Sequence, residues 1–337
     1  MENWNGATWL RNARERTRGE ETRKIAAIHA GIALGVALII TLIQVVLSEG
    51  IAQTSGLSGL GMRSILETAG TLLQWANAVA TPFWNLGFVF AALLWVRGRS
   101  ARPKDLLQGF RRFGPYLRLL LAKGMLIFFI SLACIYLSSY IFMLTPWAEP
   151  VIAFAEAAAM DMEVAGELVA QMDISQVDAL LASMIPVFVI WAILCLLVLV
   201  PRLYSFRMAE FIMLEEQKVG GVAAMLLSSR MMRKRRWKLF LLDLRLWWYY
   251  GLQLLCFGLY FADLWLPMLG VALPFGDEWS WLVFYVGYLI SLFAVRTFLR
   301  PQVDAAYALV YEDLRQAEPI LPKRRTATPK QLPWDEE

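Results

Sequence analysis

Polar side chains that could line a path for a solute, or hold helices together, recur within one long apolar segment. Gln74, Asn77, Thr81 and Asn85 fall within an arc of about 80° if each residue advances 100° around a helix. An unpaired amide in hydrocarbon costs several kcal/mol, so this stripe is expected to face other helices or water. Interhelical hydrogen bonding and a polar cavity are the two interpretations of the stripe.

Charged residues near the end of the chain form a second candidate group. Asp243 lies one to two turns inside an apolar segment, and Arg296 and Arg300 lie near the end of the next one. If the two helices run antiparallel, Asp243 and Arg296 lie at similar depth, where a charge requires a partner. We predict a structural ion pair between them, with a proton or substrate relay as the alternative. Tyr307 and Tyr311 continue the same face, which predicts a helix reaching about residue 314.

The sequence lacks the residues that most catalytic and metal sites require. It has no phosphate-binding loop, no H-E-x-x-H motif and no G-x-S-x-G motif. The only histidine, His29, lies beside Gly31 and Gly35, a spacing that permits close helix packing, and it is expected to be a satisfied interfacial residue. The three cysteines have no CxxC spacing. We therefore expect a protein that is not an enzyme and holds no metal or other cofactor.

The elements that carry these residues are apolar enough to cross a membrane. Hydrophobic residues make up 58% of the 337-residue chain, charged residues 18%, and mean hydropathy is +0.52, which excludes an ordinary soluble globule and a disordered chain. Runs of about 20 apolar residues predict an all-α polytopic membrane protein with six transmembrane helices. The predicted spans are near residues 25–47, 68–96, 119–144, 179–200, 239–264 and 281–299.

Lysine and arginine are distributed unequally between the two sides of these spans. Of the 32 basic residues, 28 lie in the N-terminal tail, in the connections after the second and fourth spans, and in the C-terminal tail. This pattern predicts a multi-pass protein of the cytoplasmic (plasma) membrane with both termini inside the cell. The predicted parts are a cytoplasmic basic tail (1–24), a six-span membrane domain (25–314) and a disordered cytoplasmic tail (315–337).

Two connections are predicted to contain amphipathic helices. The outer one, at residues 148–172, places its acidic residues on one face and is expected to lie on the membrane surface. The cytoplasmic one, at residues 222–232, leads into a basic cluster, for which topological retention and contact with anionic lipid headgroups are the two interpretations. The members of this cluster are Arg230, Arg233, Lys234, Arg235, Arg236 and Lys238. No aromatic platform accompanies them, so nucleic-acid binding is not expected.

The last third of the chain resembles a known family. Its segments are PRLYSFRMAEFIMLEE, LLSSRMMRKRRWKLFLLDL and PQVDAAYALVYEDL. The resemblance is to bacterial six-helix integral membrane proteins catalogued as a domain of unknown function, loosely grouped with the membrane domain of glycerophosphodiester phosphodiesterases. The matching positions are Ser229, Lys238, Phe240, Asp243, Pro301, Tyr311 and Asp313, whereas Gln302 stands where a tyrosine is expected. The resemblance implies a bacterial cytoplasmic-membrane protein and supplies no activity.

Two functions remain open from the sequence. The first is a lipid-associated helper of membrane or envelope homeostasis, or an accessory subunit, whose partners are membrane lipids with anionic headgroups. The alternative is a small transporter or permease with a polar path through spans two, five and six. The sequence indicates no particular protein partner.

Overall fold

The structure is a computed structural model that describes residues 6–53, 59–149, 151–152, 174–216, 218–270 and 277–317. All regular secondary structure in these ranges is helical, which confirms the predicted all-α class. The first helices are α1 (Gly6–Arg16), α2 (Glu20–Gln53), α3 (Gly59–Val96), α4 (Gln108–Arg111), α5 (Phe113–Met143) and α6 (Ile174–Ser205). The remaining ones are α7 (Ala209–Glu215), α8 (Gly221–Met231), α9 (Arg236–Arg245), α10 (Trp247–Tyr260), α11 (Ala262–Met268), α12 (Asp277–Phe298) and α13 (Arg300–Ala317).

Within the described residues, five segments are long and apolar enough to cross a membrane. They are Glu20–Ile51, Arg63–Val96, Phe113–Met143, Ala182–Glu215 and Ser280–Ala317. A sixth is present if α10 and α11, which are bent by 77° relative to each other, form one broken span. The described chain therefore has five or six helices that could span a membrane.

The segment predicted as the fifth span, 239–264, differs from the single helix expected. It is divided among α9, α10 and α11. At the first break the Leu246 amide donates to both Leu242 O at 3.1 Å and Asp243 O at 2.9 Å, a tightening that ends the α-helical turn. Hydropathy counts apolar residues and carries no information about such breaks, so the sequence pattern missed them.

The chain divides into two compact units, one formed by residues 118–207 and the other by residues 1–117 and 208–337. The first contains most of α5 together with α6. Large apolar side chains on both helices are exposed, including Phe128, Tyr136, Leu196 and Leu197. Apolar surfaces of this extent are typical of helices in contact with lipid.

In the second unit α13 is a largely buried helix. Its buried residues include Tyr307 and Tyr311, which are among the largest fully buried side chains of the described chain. The helix packs against α1 and α3, and Leu299 separates it from α12. The prediction that the last helix runs to about residue 314 is confirmed, since α13 ends at Ala317.

The N-terminal stretch predicted only as a basic tail contains a packed helix, α1. Trp9 on this helix is buried, and its indole Nε1 donates to Asp313 Oδ2 at 2.6 Å. Ala13 and Thr17, one and two turns later, are also buried. A buried face with the helical period therefore attaches α1 to α13.

Backbone contact between α3 and the segment around α4 depends on two glycines. A Cβ atom on Gly87 would lie 1.7 Å from Leu106 O, and one on Gly109 would lie 1.9 Å from Phe83 O. Only a residue without a side chain allows such an approach. The predicted small-residue pair does not act in this way, because a Cβ on Gly31 would meet only Phe293 at 3.8 Å and one on Gly35 nothing within 4 Å.

Two predictions concern residues that the structure does not describe. Most of the outer amphipathic helix predicted at 148–172 falls within residues 153–173, and most of the predicted tail falls within residues 318–337. Both lie outside the part of the chain that the structure describes.

Candidate functional site

The polar face of α13 carries two groups of buried contacts, one at each end of the helix. The side chains of its last two turns reach α7 and the residue that follows α3. Those of its first turns reach α3 and the helices α9 and α10. Because α13 is covered on several sides, the polar groups on it must be paired within the protein.

The first group is an ion-pair cluster around Glu215. Its Oε1 accepts hydrogen bonds from Arg97 Nη2 at 2.6 Å and lies 2.9 Å from Arg315 Nη1, while its Oε2 accepts from Tyr311 Oη at 2.5 Å. Arg97 Nε also donates to Glu312 Oε1 at 2.6 Å. The two arginines and two glutamates balance in charge. This arrangement fixes the ends of α3, α7 and α13 to one another.

Arg97 remains charged in this cluster. Burial alone would lower the pKa of Arg97, but hydrogen bonds to Glu312 and Glu215 outweigh that effect and raise the pKa above its ordinary value. Glu215 is followed by a second acidic residue, Glu216, and no histidine lies near them in the sequence. In the structure Glu215 forms ion pairs with Arg97 and Arg315. In the described part of the chain no group of three or more side chains that could hold a metal ion occurs.

The second group centres on Arg300. Its Nη2 donates to Asn85 Oδ1 at 3.0 Å, its Nε donates to Asp304 Oδ2 at 3.2 Å, and its guanidinium lies 4.9 Å from the centre of the Phe88 ring. The structure therefore brings together one residue of the predicted stripe, Asn85, and one of the predicted charged residues. This contact joins α3 to α13 within one unit.

His29 lies in an aromatic environment next to this group. Its ring stacks on Trp84 at 5.2 Å between centroids and lies 4.6 Å from Phe88. Trp84 Nε1 donates to the His29 carbonyl at 3.1 Å. The His29 Nε2 atom is buried without a hydrogen-bond partner among the described residues. The prediction that this histidine would have its hydrogen-bonding groups satisfied is therefore wrong for Nε2.

Asp243 has a different partner from the one predicted. Tyr307 Oη donates to Asp243 Oδ1, and because its only hydrogen is used there, it accepts a hydrogen bond from Tyr250 Oη at 3.0 Å. No ion pair joins Asp243 to Arg296 among the described residues. Because α10 starts after a break at Leu246, the antiparallel register of two straight helices, on which that prediction depended, does not apply.

Arg296 is half-buried and lies among groups that do not neutralise it. The groups that interact with it electrostatically are Arg300, Tyr288 and Tyr249. It has no carboxylate partner within the part of the chain that the structure describes. A guanidinium in this state is able to attract an anion.

The outer part of the predicted stripe lies apart from these contacts. Gln74 and Thr81 are exposed, and Asn77 is half-buried. The Thr81 hydroxyl donates to the Asn77 carbonyl at 2.8 Å, so it is satisfied within its own helix. The structure thus gives Asn85 a partner on α13 and leaves Gln74 and Thr81 on the surface of α3.

The basic cluster occupies the turn between α8 and α9. Arg230, Arg233, Lys234 and Lys238 are exposed, whereas Arg235 and Arg236 are half-buried. Lys234 has a φ of 67°, a left-handed conformation that closes the turn. Leu226 is 57% exposed and Trp237 is 68% exposed along the same stretch. Cations therefore alternate with large apolar side chains on a folded connection.

These features define a helical protein with segments that could span a membrane and a polar core around the last described helix. The family model described as Protein of unknown function (DUF975) matches residues 19–318, and the chain belongs to this family. The resemblance noted in the last third therefore extends over most of the chain. No curated protein and no solved structure matches it.

Proposed function

We propose that the protein is an integral protein of the cytoplasmic membrane that binds anionic lipid headgroups on its cytoplasmic side. In this proposal it helps to maintain the membrane or envelope, or serves as an accessory subunit, and carries out no catalysis. The observation that carries the proposal is the exposed mixture of basic and large apolar side chains at residues 222–241.

The chemistry of that surface suits the boundary between headgroups and acyl chains. A lysine or arginine near an anionic membrane surface contributes about 1 kcal/mol of attraction. Trp237 has an amphipathic ring of the kind enriched at this depth. The interior contacts of α8, which include the hydrogen bond from the Met208 amide to Ser228 Oγ at 3.2 Å, hold the surface in a defined shape.

The orientation of the protein is part of the proposal. The distribution of basic residues favours both termini and the α8–α9 turn on the cytoplasmic side. Cysteines introduced at positions 5 and 160 should be labelled from inside and outside the cell, respectively. The grouping with the membrane domain of glycerophosphodiester phosphodiesterases also belongs to the proposal, and it agrees with a location beside phospholipid headgroups.

The test compares two variants with the same loss of charge. In the surface variant, glutamine replaces Arg230, Arg233, Lys234 and Lys238. In the matched control, glutamine replaces Lys323, Arg324, Arg325 and Lys330 in the C-terminal segment. Delipidated protein is titrated with phosphatidylglycerol or phosphatidylcholine, and bound lipids are counted by native mass spectrometry.

The surface variant should bind fewer phosphatidylglycerol molecules than the wild type and the control, with little change in phosphatidylcholine binding. The difference should shrink at high salt, because exposed charges are screened. Equal phosphatidylglycerol binding by the surface variant and the control would contradict the proposal and leave topological retention as the role of the cluster.

A transporter or permease is the second candidate, and Arg296 is the observation that favours it. A half-buried guanidinium without a carboxylate partner could hold an anionic solute in a path that includes Asn77 and Asp243. A cysteine at position 77 should then react with a water-soluble, membrane-impermeant thiol reagent. Protection of that cysteine in intact membranes would count against a polar path.

A further inference from the structure

A cavity of about 220 Å³ lies between the N-terminal helices and the junction of α12 and α13. Its lining comes from two parts of the chain that are far apart in sequence. One part spans the end of α1 to the first turn of α2, and the other runs from the last turn of α12 into the first turn of α13. The lining residues are Arg14, Thr17, Arg18, Arg23, Thr297, Phe298, Leu299, Pro301 and Gln302.

The break between α12 and α13 accounts for the opening. Pro301 has no amide hydrogen, so it leaves the carbonyl one turn earlier without its helical donor. The Gln302 amide donates to Leu299 O at 3.1 Å, and its side-chain amide donates to Phe298 O at 3.0 Å. These bonds stabilise the turn and leave a recess beside it.

The charge of the lining is entirely positive. Arg14, Arg18 and Arg23 line the cavity, and no acidic residue does. None of the three guanidinium groups forms an ion pair with a carboxylate among the described residues. The nearby acid Glu20 is paired with Lys24 at 2.9 Å. Three arginines around one recess match the oxygens of a phosphate group.

A buried hydroxyl adds an unused hydrogen-bonding group to the lining. Thr297 is 5% exposed, and its Oγ1 is buried without a hydrogen-bond partner in the described chain. A threonine in a helix usually bonds to a carbonyl one turn earlier. Thr17, on the other wall, does so by donating to Ala13 O at 2.8 Å. Because Thr297 lines the cavity, a rotation of its side chain would bring this unused hydroxyl to a ligand.

Apart from Gln302, the remaining lining is apolar, and it lies at the junction of α12 and α13. Phe298 is 54% exposed, and the Arg23 guanidinium lies 6.0 Å from the centre of its ring. A cavity of this volume is smaller than a site for a drug-sized ligand, and it suits a headgroup more than a whole metabolite. An adjacent exposed aromatic ring gives acyl chains a surface to contact.

We propose that this cavity binds the phosphate group of an anionic phospholipid, with the arginines around the phosphate oxygens and the Thr297 hydroxyl donating to one of them. The choice of a lipid, but not the phosphate chemistry, rests on the proposed function. The cavity is separate in its residues from the α8–α9 turn. The cavity would bind one lipid headgroup selectively, whereas the α8–α9 turn attracts anionic lipids whatever the structure of their headgroup.

The test uses a double variant, Arg18→Gln with Arg23→Gln, and a matched control, Arg11→Gln with Arg16→Gln. The control removes the same charge from exposed positions on α1 that do not line the cavity. A third variant, Thr297→Val, removes only the hydroxyl and retains the shape. Each is titrated, in delipidated detergent-solubilised form, with phosphatidylglycerol and, separately, with water-soluble glycerol 3-phosphate.

The expected result is that the cavity variant binds its first phosphatidylglycerol molecule about ten-fold more weakly than the wild type and the control. Thr297→Val should weaken the same binding by a smaller factor. If the cavity variant binds only glycerol 3-phosphate more weakly, the cavity is a phosphate site whose ligand is soluble and not a lipid. Equal binding of both ligands by the cavity variant and the control would overturn the proposal.

The surface variant at the α8–α9 turn, measured in the same titration, separates this proposal from the proposed function. If only the surface variant behaves like its control, the lipid-surface proposal fails while the cavity remains. If only the cavity variant behaves like its control, the cavity proposal fails and the surface proposal remains.

Discussion

Replacing Gly109 or Gly87 by alanine should destabilise the protein more than any other change of one methyl group in α3 or α4. A Cβ at Gly109 would approach Phe83 O to 1.9 Å, and one at Gly87 would approach Leu106 O to 1.7 Å, whereas ordinary contact begins at 3.4 Å. Both obstacles are backbone atoms, so no side-chain rotation relieves them. The two segments would have to separate by about 1.5 Å.

The expected magnitude is a balance of two effects. Overpacking of a tight contact costs about 3 kcal/mol at the upper end of its usual range. Alanine recovers about 1 kcal/mol because it favours a helix more than glycine does. The net loss should be about 2 kcal/mol of unfolding free energy. Gly35→Ala is the matched control, since nothing lies within 4 Å of its Cβ position, and it should be neutral or slightly stabilising.

Unfolding in mixed micelles titrated with sodium dodecyl sulfate, followed by circular dichroism, measures these differences. Separate traces for the wild type, Gly35→Ala and each of the other two variants give the ranking directly. If Gly109→Ala unfolds at the same detergent fraction as Gly35→Ala, the two segments do not meet through their backbones, and the packing described for α3 is wrong.

Three further experiments in the same unfolding assay test the contacts of α13. Tyr311→Phe should lower the free energy of unfolding by about 1–3 kcal/mol, because the Glu215 carboxylate loses a hydrogen-bond donor. An unchanged unfolding transition would contradict the contact between Tyr311 and Glu215. Asp243→Ala and Tyr307→Phe should be non-additive by at least about 0.5 kcal/mol, whereas strictly additive losses would show that they do not interact. Trp9→Phe should lower the free energy of unfolding by about 1 kcal/mol, because the hydrogen bond to Asp313 is lost. If the variant is as stable as the wild type, this bond does not hold α1 against α13.

The sequence predicted the parts of the fold that depend on local periodicity. Long apolar runs predicted the helices that could span a membrane, and the shared face of Arg300, Tyr307 and Tyr311 predicted the length of α13. The first prediction follows from the number of consecutive apolar residues and the second from the 3.6-residue repeat, and a single segment displays either without reference to the rest of the chain.

The contacts that organise the core could not be predicted in the same way. Arg97 and Glu215 are 118 residues apart, and their pairing depends on how α3, α7 and α13 pack. The roles of Gly87 and Gly109 depend on which backbone approaches them. The pairing of Asp243 was predicted wrongly because a break in the helix, invisible to hydropathy, changed its neighbours. Three-dimensional packing decides each of these cases.

The central claim, that the α8–α9 turn collects anionic lipid, is tested most directly by a probe placed on that surface. In a variant whose three native cysteines are replaced by alanine, Leu226→Cys carries a fluorescent label, and the protein is reconstituted with lipids that bear a nitroxide on the headgroup. The label should be quenched more strongly by phosphatidylglycerol than by phosphatidylcholine at equal content, and the preference should disappear in the surface variant. Equal quenching by the two lipids would contradict the claim.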